Sequence, residues 1–178
     1  MKKSFFVVNE DEIDALKEKV LASINKASLQ LQSELSNNNA ISVFSKMKFG
    51  GVGYDPLNTD RELNIIEQIN QSFTYLASFN ALEFLFKSYP QHAPYKLNLG
   101  TASGSDIESA CGSISAEVFA SVSPTNNQKI KKDIDKVLET NSAIKYAFFM
   151  SPGYDVGRQE KHERDGVIVW SLGCIDAL

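Results

Sequence analysis

"SDIESACGSISAEVFASVSP", residues 105–124, decides how the chain is read. In its second half Ile114, Ala116, Val118, Ala120 and Val122 form one apolar row, opposite Ser113, Ser115, Glu117, Phe119 and Ser121. That period of two predicts a strand. "GSDIES" (104–109) then reads as the neighbouring arm of a hairpin. Antiparallel pairing points Asp106 and Glu117 to one side near the same end, with Glu117 on the serine side and free of any need for burial. Two carboxylates so placed repel unless a hard cation or a proton intervenes. Each also has a plainer role: Asp106 can shape a turn, and Glu117 can pair with a lysine on a solvent-facing strand.

The elements around this hairpin alternate in type. "NEDEIDALKEKVLASINKASLQLQSELSNNN" (9–39) carries Ile13, Leu16, Val20, Ile24, Ala27, Leu31 and Leu35 at steps of three and four. This predicts a long amphipathic helix over about 9–36, with Asn9 as N-cap and Glu10, Asp11 and Glu12 in its first turn. "AISVFSKMKF" (40–49) alternates and predicts a strand, and "GGVGYDP" (50–56) a flexible turn. The latter lacks the G-K-[ST] of a phosphate loop.

A second long helix is expected from Thr59 to about Ser88, with Leu63, Ile66, Ile69, Phe73, Leu76 and Leu82 on or near one buried face. "YKLNLG" (95–100) follows as a strand, and "GTASGSD" (100–106) as a flexible hairpin turn. A third helix begins at Pro124 and Thr125, burying Ile130, Ile134, Val137 and Leu138, with Lys129, Lys132 and Lys136 on its other side. "IKYAFFMSP" (144–152) is apolar throughout, which suits a strand covered on both faces. "VIVWSLGCI" (167–175) is the last strand. The fold class is therefore α/β, a mixed central sheet flanked by helices, in a single domain spanning 1–178.

Composition narrows the function. At 178 residues, 43% hydrophobic and 22% charged, the chain has the make-up of a soluble globular protein. "MKKSFFVVNEDE" has too short an apolar run for a secretory leader, so a cytoplasmic protein is expected. The net charge of −4 argues against a protein coated in nucleic acid. Cys111 and Cys174 are too few for a disulfide framework or a zinc site. His92, set among prolines, reads as a turn residue. With no cysteine beside either histidine, a Cys/His nucleophile is not expected.

The order helix, hairpin strands, helix, strand, together with Asp106-x10-Glu117-Val118-Phe119, resembles the PD-(D/E)xK (restriction-endonuclease-like) nuclease superfamily over about residues 60–151. The long N-terminal helix would be an addition to that core. The resemblance implies a Mg²⁺ (or Mn²⁺) ion held by Asp106 and Glu117, and hydrolysis of nucleic-acid phosphodiesters, DNA first. Phe119 stands where the family carries its lysine, and a phenyl ring donates no hydrogen bond.

In some members that lysine comes from the next helix. This points to Lys129, nearest the strand's end, then Lys132 or Lys136, with Gln128 as another polar candidate. Lys132, Lys136, Arg158, Lys161 and Arg164 would then contact nucleic acid, although Asp133, Asp135, Glu160, Glu163 and Asp165 dilute that charge. Glu108 is a candidate third ligand, and Glu62 and Glu67 are spare acids. The competing expectation is a catalytically inactive protein-binding or regulatory module on the same fold. A further one is a homodimer formed through Ile13, Leu16, Val20, Ile24 and Leu31.

Overall fold

A computed structural model describes residues 2–100 and 102–174. Its contacts divide the chain into two compact units, one made of the first 13 residues with everything from Ala77 onward, the other of Asp14–Leu76. Strand β1 (Lys2–Val7) leads into helix α1 (Glu10–Asn37), α2 (Ala40–Phe49), strands β2 (Gly53–Asp55) and β3 (Asn58–Leu63), and helix α3 (Ile65–Ser88). Then come β4 (Tyr95–Gly100), β5 (Ile107–Ser109), β6 (Ile114–Ala120), α4 (Lys129–Leu138), β7 (Ile144–Met150), β8 (Gly157–Arg158) and β9 (Ile168–Ser171). The expected α/β class with a mixed sheet is what the chain forms.

The larger unit is built on a seven-stranded sheet in the order β1-β4-β5-β6-β7-β9-β8. β4, β5 and β6 form an antiparallel meander, whereas β6 and β7 run parallel, with Glu117 opposite Ala147 and Phe119 opposite Phe149. α4 makes the parallel crossover and packs Ile130, Ile134 and Val137 on Phe119, Ala147, Phe149 and Val169. The other face receives α3, whose Phe84 ring lies 4.5–5.7 Å from those of Trp170, Phe148 and Tyr146. β7 therefore sits mid-sheet between two helical layers, as its unbroken apolar run implies.

That layering corrects the reading of Glu117. Every residue of Ile114–Phe119 is buried, and Glu117 is only 3% exposed, because the serine side of β6 lies under α4 instead of facing solvent. The N-terminal "KKSFFV", left without a role above, is an edge strand paired antiparallel with β4. Ile175, the end of the expected last strand, and Thr101, in the expected hairpin turn, lie outside the described residues.

Asp14–Leu76 departs most from expectation. Residues 40–49 form a helix, not a strand: Asn39 Oδ1 accepts the Ser42 N–H at 3.0 Å and Gly50 closes the other end, so the two caps outweigh the alternation between them. "GYD" is a strand, not a turn. Gly53 is required there because a Cβ would come within 3.0 Å of Gln68 Oε1 and the Asn64 carbonyl. α3 starts at Ile65, not Thr59, since Asn64 caps it by accepting the Glu67 N–H at 2.8 Å.

On α3 the stretch Tyr75–Phe79 is buried on every side, and Leu76 and Leu82 are buried as expected, whereas Ile66, Ile69 and Phe73, nearer its start, are over 40% exposed. The capping expected of α1 does occur: Asn9 Oδ1 accepts the Glu12 N–H, and Glu12 reaches back to the Val8 N–H. Of the stripe considered for a homodimer, Ile13 and Val20 are buried within the single chain and Leu16, Ile24 and Leu31 are half-buried.

Candidate active site

Asp106 immediately precedes β5, the shortest strand inside the sheet, and is fixed by its surroundings. The Asn98 N–H donates to the Asp106 carbonyl at 2.8 Å, and the Asn98 side-chain amide donates to the Ser105 carbonyl at 2.7 Å. Asn98 is itself held by the Ser4 hydroxyl of β1 at 2.6 Å. The Asp106 carboxylate turns toward β6 and accepts the Val118 N–H at 2.8 Å. It therefore stands beside Glu117, as the hairpin reading required.

A third acid joins them. Asp133 on α4 is 1% exposed and faces the same strand. Its position, three residues after Ile130 and four before Val137, lies on the apolar stripe of α4, so a charge there was visible in the sequence as an anomaly. Lys129 closes on both Asp133 oxygens, at 2.5 and 2.8 Å, and its Nζ stands 5.0 Å from the Phe119 ring centre. Lys136 donates to Glu117 Oε2 at 2.5 Å. The geometry thus reassigns the two lysines: Lys136, not Lys129, meets Glu117, and Lys132 points into solvent.

Three carboxylates share this space with two ammoniums, and the titration of each reflects that imbalance. Burial, then the Glu117 charge, push the Asp106 carboxyl up to about 7, against the pull of the Val118 N–H and Lys136. Burial also raises Glu117 and Asp133, and in each case outweighs the hydrogen-bonded lysine. For Lys136, burial pulls downward, but the Glu117 carboxylate prevails and the ammonium is held more firmly. The cluster is built to lose a negative charge, by taking up a proton or a cation.

The remaining candidates do not join it. Glu108 accepts the Ser105 N–H at 3.0 Å and pairs with Lys96 at 3.5 Å, so it braces the β4–β5 turn. Glu62 and Glu67 belong to the other unit. Arg158 is clamped by Glu163 at 2.7 and 2.8 Å, and Arg164 is engaged by Asp135 and Asp165. Lys161 and Arg164, with Lys131 and His162, line a groove of about 330 Å³ beside the start of α4. α4 itself begins at Lys129 rather than Thr125, after Asn127 and Gln128 turn through left-handed backbone.

Among the described residues no three acidic, histidine or cysteine side chains stand together as a metal-holding group. One pairing went unforeseen: His92 does lie beside a cysteine, Cys111, because the Ala110 N–H donates to the Pro94 carbonyl and draws the two loops together. Nothing in the local sequence marks it.

No family model, curated protein or solved structure matches the chain.

Proposed function

We propose that the chain is a metal-dependent nuclease-like protein of the PD-(D/E)xK kind, hydrolysing nucleic-acid phosphodiesters. The observation that carries the reading is the 2.5 Å contact from Lys136 to Glu117, next to an Asp106 whose carboxyl titrates near neutrality. The cation missing from position 119 has a replacement on the following helix, beside the acid it would serve. The order α3, then the antiparallel β4-β5-β6, then α4 and a parallel β7, supports it further, since that is the arrangement the resemblance implies.

The donor set fits Mg²⁺ or Mn²⁺. Magnesium takes one or two carboxylates and keeps several waters, which matches a pair of oxygen ligands better than a full protein cage. Asp106 and Glu117 would hold the ion, and the ion would supply positive charge to the scissile phosphate and acidify a water. Lys136, released from Glu117, would donate to the incoming water or to a phosphate oxygen. Asp133 and Lys129 neutralise one another and keep α4 in register. Lys131 and Lys161, at the groove, would neutralise backbone phosphates, and Lys132 would add a weaker contact.

Calorimetric titration of MgCl₂ and MnCl₂ tests this, followed by incubation with supercoiled plasmid and with single-stranded RNA. Wild type should bind the ion and cleave one of the two substrates. Asp106→Ala and Glu117→Ala should abolish both properties. Lys136→Ala should retain the ion and lose cleavage by about a hundredfold or more, the scale of removing one positioned electrostatic group. Cleavage unchanged in both acid variants would sink the assignment.

The 3% exposure of Glu117, with Phe119 stacked on Phe149 beneath it, favours the second reading, a non-catalytic binding module. Wild type that binds no divalent ion, with or without added DNA, would decide for that module.

A further inference from the structure

At the opposite end of the β5–β6 hairpin the turn "SACGS" (109–113) wraps donors around one sulfur. His92 Nδ1 lies 3.3 Å from Cys111 Sγ, and Ser109 Oγ lies 3.4 Å from it. Ser109 Oγ already accepts the Ile114 N–H at 2.9 Å, so its own proton is free to point at the sulfur. Ser113 adds its hydroxyl and its backbone N–H. Cys111 is exposed, so a reagent can reach its sulfur from solvent. A groove of about 320 Å³, lined by Ser109, Ala110, Gly112, Lys96, Thr140 and Ser142, runs alongside.

We propose that Cys111 is a modification site: a nucleophilic thiol, activated by His92, Ser109 and Ser113, that exchanges with low-molecular-weight disulfides to form a reversible mixed disulfide. His92 Nδ1 takes the thiol proton, and the imidazolium then donates back to the thiolate. The thiolate attacks one sulfur of R–S–S–R, the Cys111–S–S–R bond forms, the old S–S bond breaks, and R–S⁻ leaves and is protonated. The Cys111 sulfur is oxidised and the departing sulfur reduced, so no further oxidant is needed.

The titratable groups facing the sulfur are His92 and, from β4, Tyr95, whose hydroxyl is raised to about 12 by burial and then by the Cys111 charge. The hydroxyls and His92 bring the thiol down to about 6. Such a thiolate is abundant but individually less nucleophilic, which gives the test its form.

Alkylation of Cys111 by iodoacetamide is followed across pH 5–10 by peptide-resolved mass spectrometry, against a cysteine-containing model peptide. Cys111 should react about tenfold faster at pH 6 and roughly twofold faster at pH 7, then about tenfold slower above pH 9, where both thiols are ionised. The two profiles should cross between about pH 7 and 8. His92→Ala and Ser109→Ala should move the Cys111 profile toward that of the peptide. Incubation with glutathione disulfide at pH 7 should add one glutathionyl group to Cys111, removable by dithiothreitol. A wild-type profile with its midpoint above pH 8, or no glutathionyl adduct on Cys111, overturns the proposal. The wild-type profile decides even if a variant fails to fold.

Discussion

A single buried carboxylate in one unit of this chain and a group of three in the other are held differently. Asp55, 0% exposed, is satisfied from within its own hairpin: Leu57 N–H donates to Oδ1 at 2.9 Å and Arg61 Nη1 to Oδ2 at 3.1 Å. Nearby Ser23 and Gln68 close a short polar network, Gln68 Nε2 donating to Ser23 Oγ at 3.0 Å and Ser23 Oγ to the Asp55 carbonyl at 3.2 Å. Asp106, Glu117 and Asp133 come from three separate elements; Asp133 takes its lysine from its own helix, and Lys129 at 43% is about as exposed as Arg61 at 40%, but Glu117 is covered by Lys136 from another element, 59% exposed. An acid whose donors all come from its own hairpin is structural. The Lys136–Glu117 contact, reached from another element by the most solvated of these cations, is the one open to exchange.

The largest effect should be on stability. Asp55→Ala leaves Arg61 and the Leu57 N–H without their acceptor and should cost about 3 kcal/mol in urea unfolding. Asp106→Asn keeps an acceptor for Val118 and removes one charge from three crowded acids. It should shift stability at pH 8 by less than about 1 kcal/mol, or raise it. A larger loss from Asp106→Asn than from Asp55→Ala would break the comparison.

The dependence on pH sharpens it. An unfolded aspartate titrates at about 3.9, whereas Asp106 in the folded chain titrates at about 7. Between those values the folded state holds the extra proton, so this group's contribution to stability is complete below about pH 4 and declines as pH rises to about 7, by no more than ~1.4 kcal/mol per pH unit. Glu117 and Asp133, both raised, act in the same sense. Asp106→Asn should flatten the decline. Melting curves that rise between pH 5 and 7 in wild type, and stay unchanged in the variant, would contradict it. Asn39→Ala loses a helix cap worth about 1 kcal/mol in urea unfolding and should leave metal binding unchanged.

Periodicity made the sheet-bearing unit legible. The β6 alternation, the apolar β7 and the amphipathic α4 all formed, and Asp106 came beside Glu117 as the hairpin pairing required. The errors share a cause. Residues 40–49 alternate like a strand, yet Asn39 and Gly50 cap a helix whose Ile41, Phe44 and Phe49 stay exposed. The caps, not the side-chain alternation, decide the backbone there. Glu117 was misread because alternation reports two faces without saying what covers each. The exchange of roles between Lys129 and Lys136 depended on the left-handed pair Asn127 and Gln128, of which only the asparagine is a residue type that favours that conformation. The Cys111–His92 contact came from tertiary pairing alone.

That left-handed pair also acts as a phase setting for α4. Each residue added or removed ahead of Lys129 would rotate the helix about 100°. A shift by one in either direction would set Asp135 or Val137, in place of Lys136, over Glu117. A fourth acid or an apolar side chain there would leave the cluster without its ammonium. The length of the β6–α4 connection is therefore as constrained as any side chain in the site, although none of its backbone touches the acids.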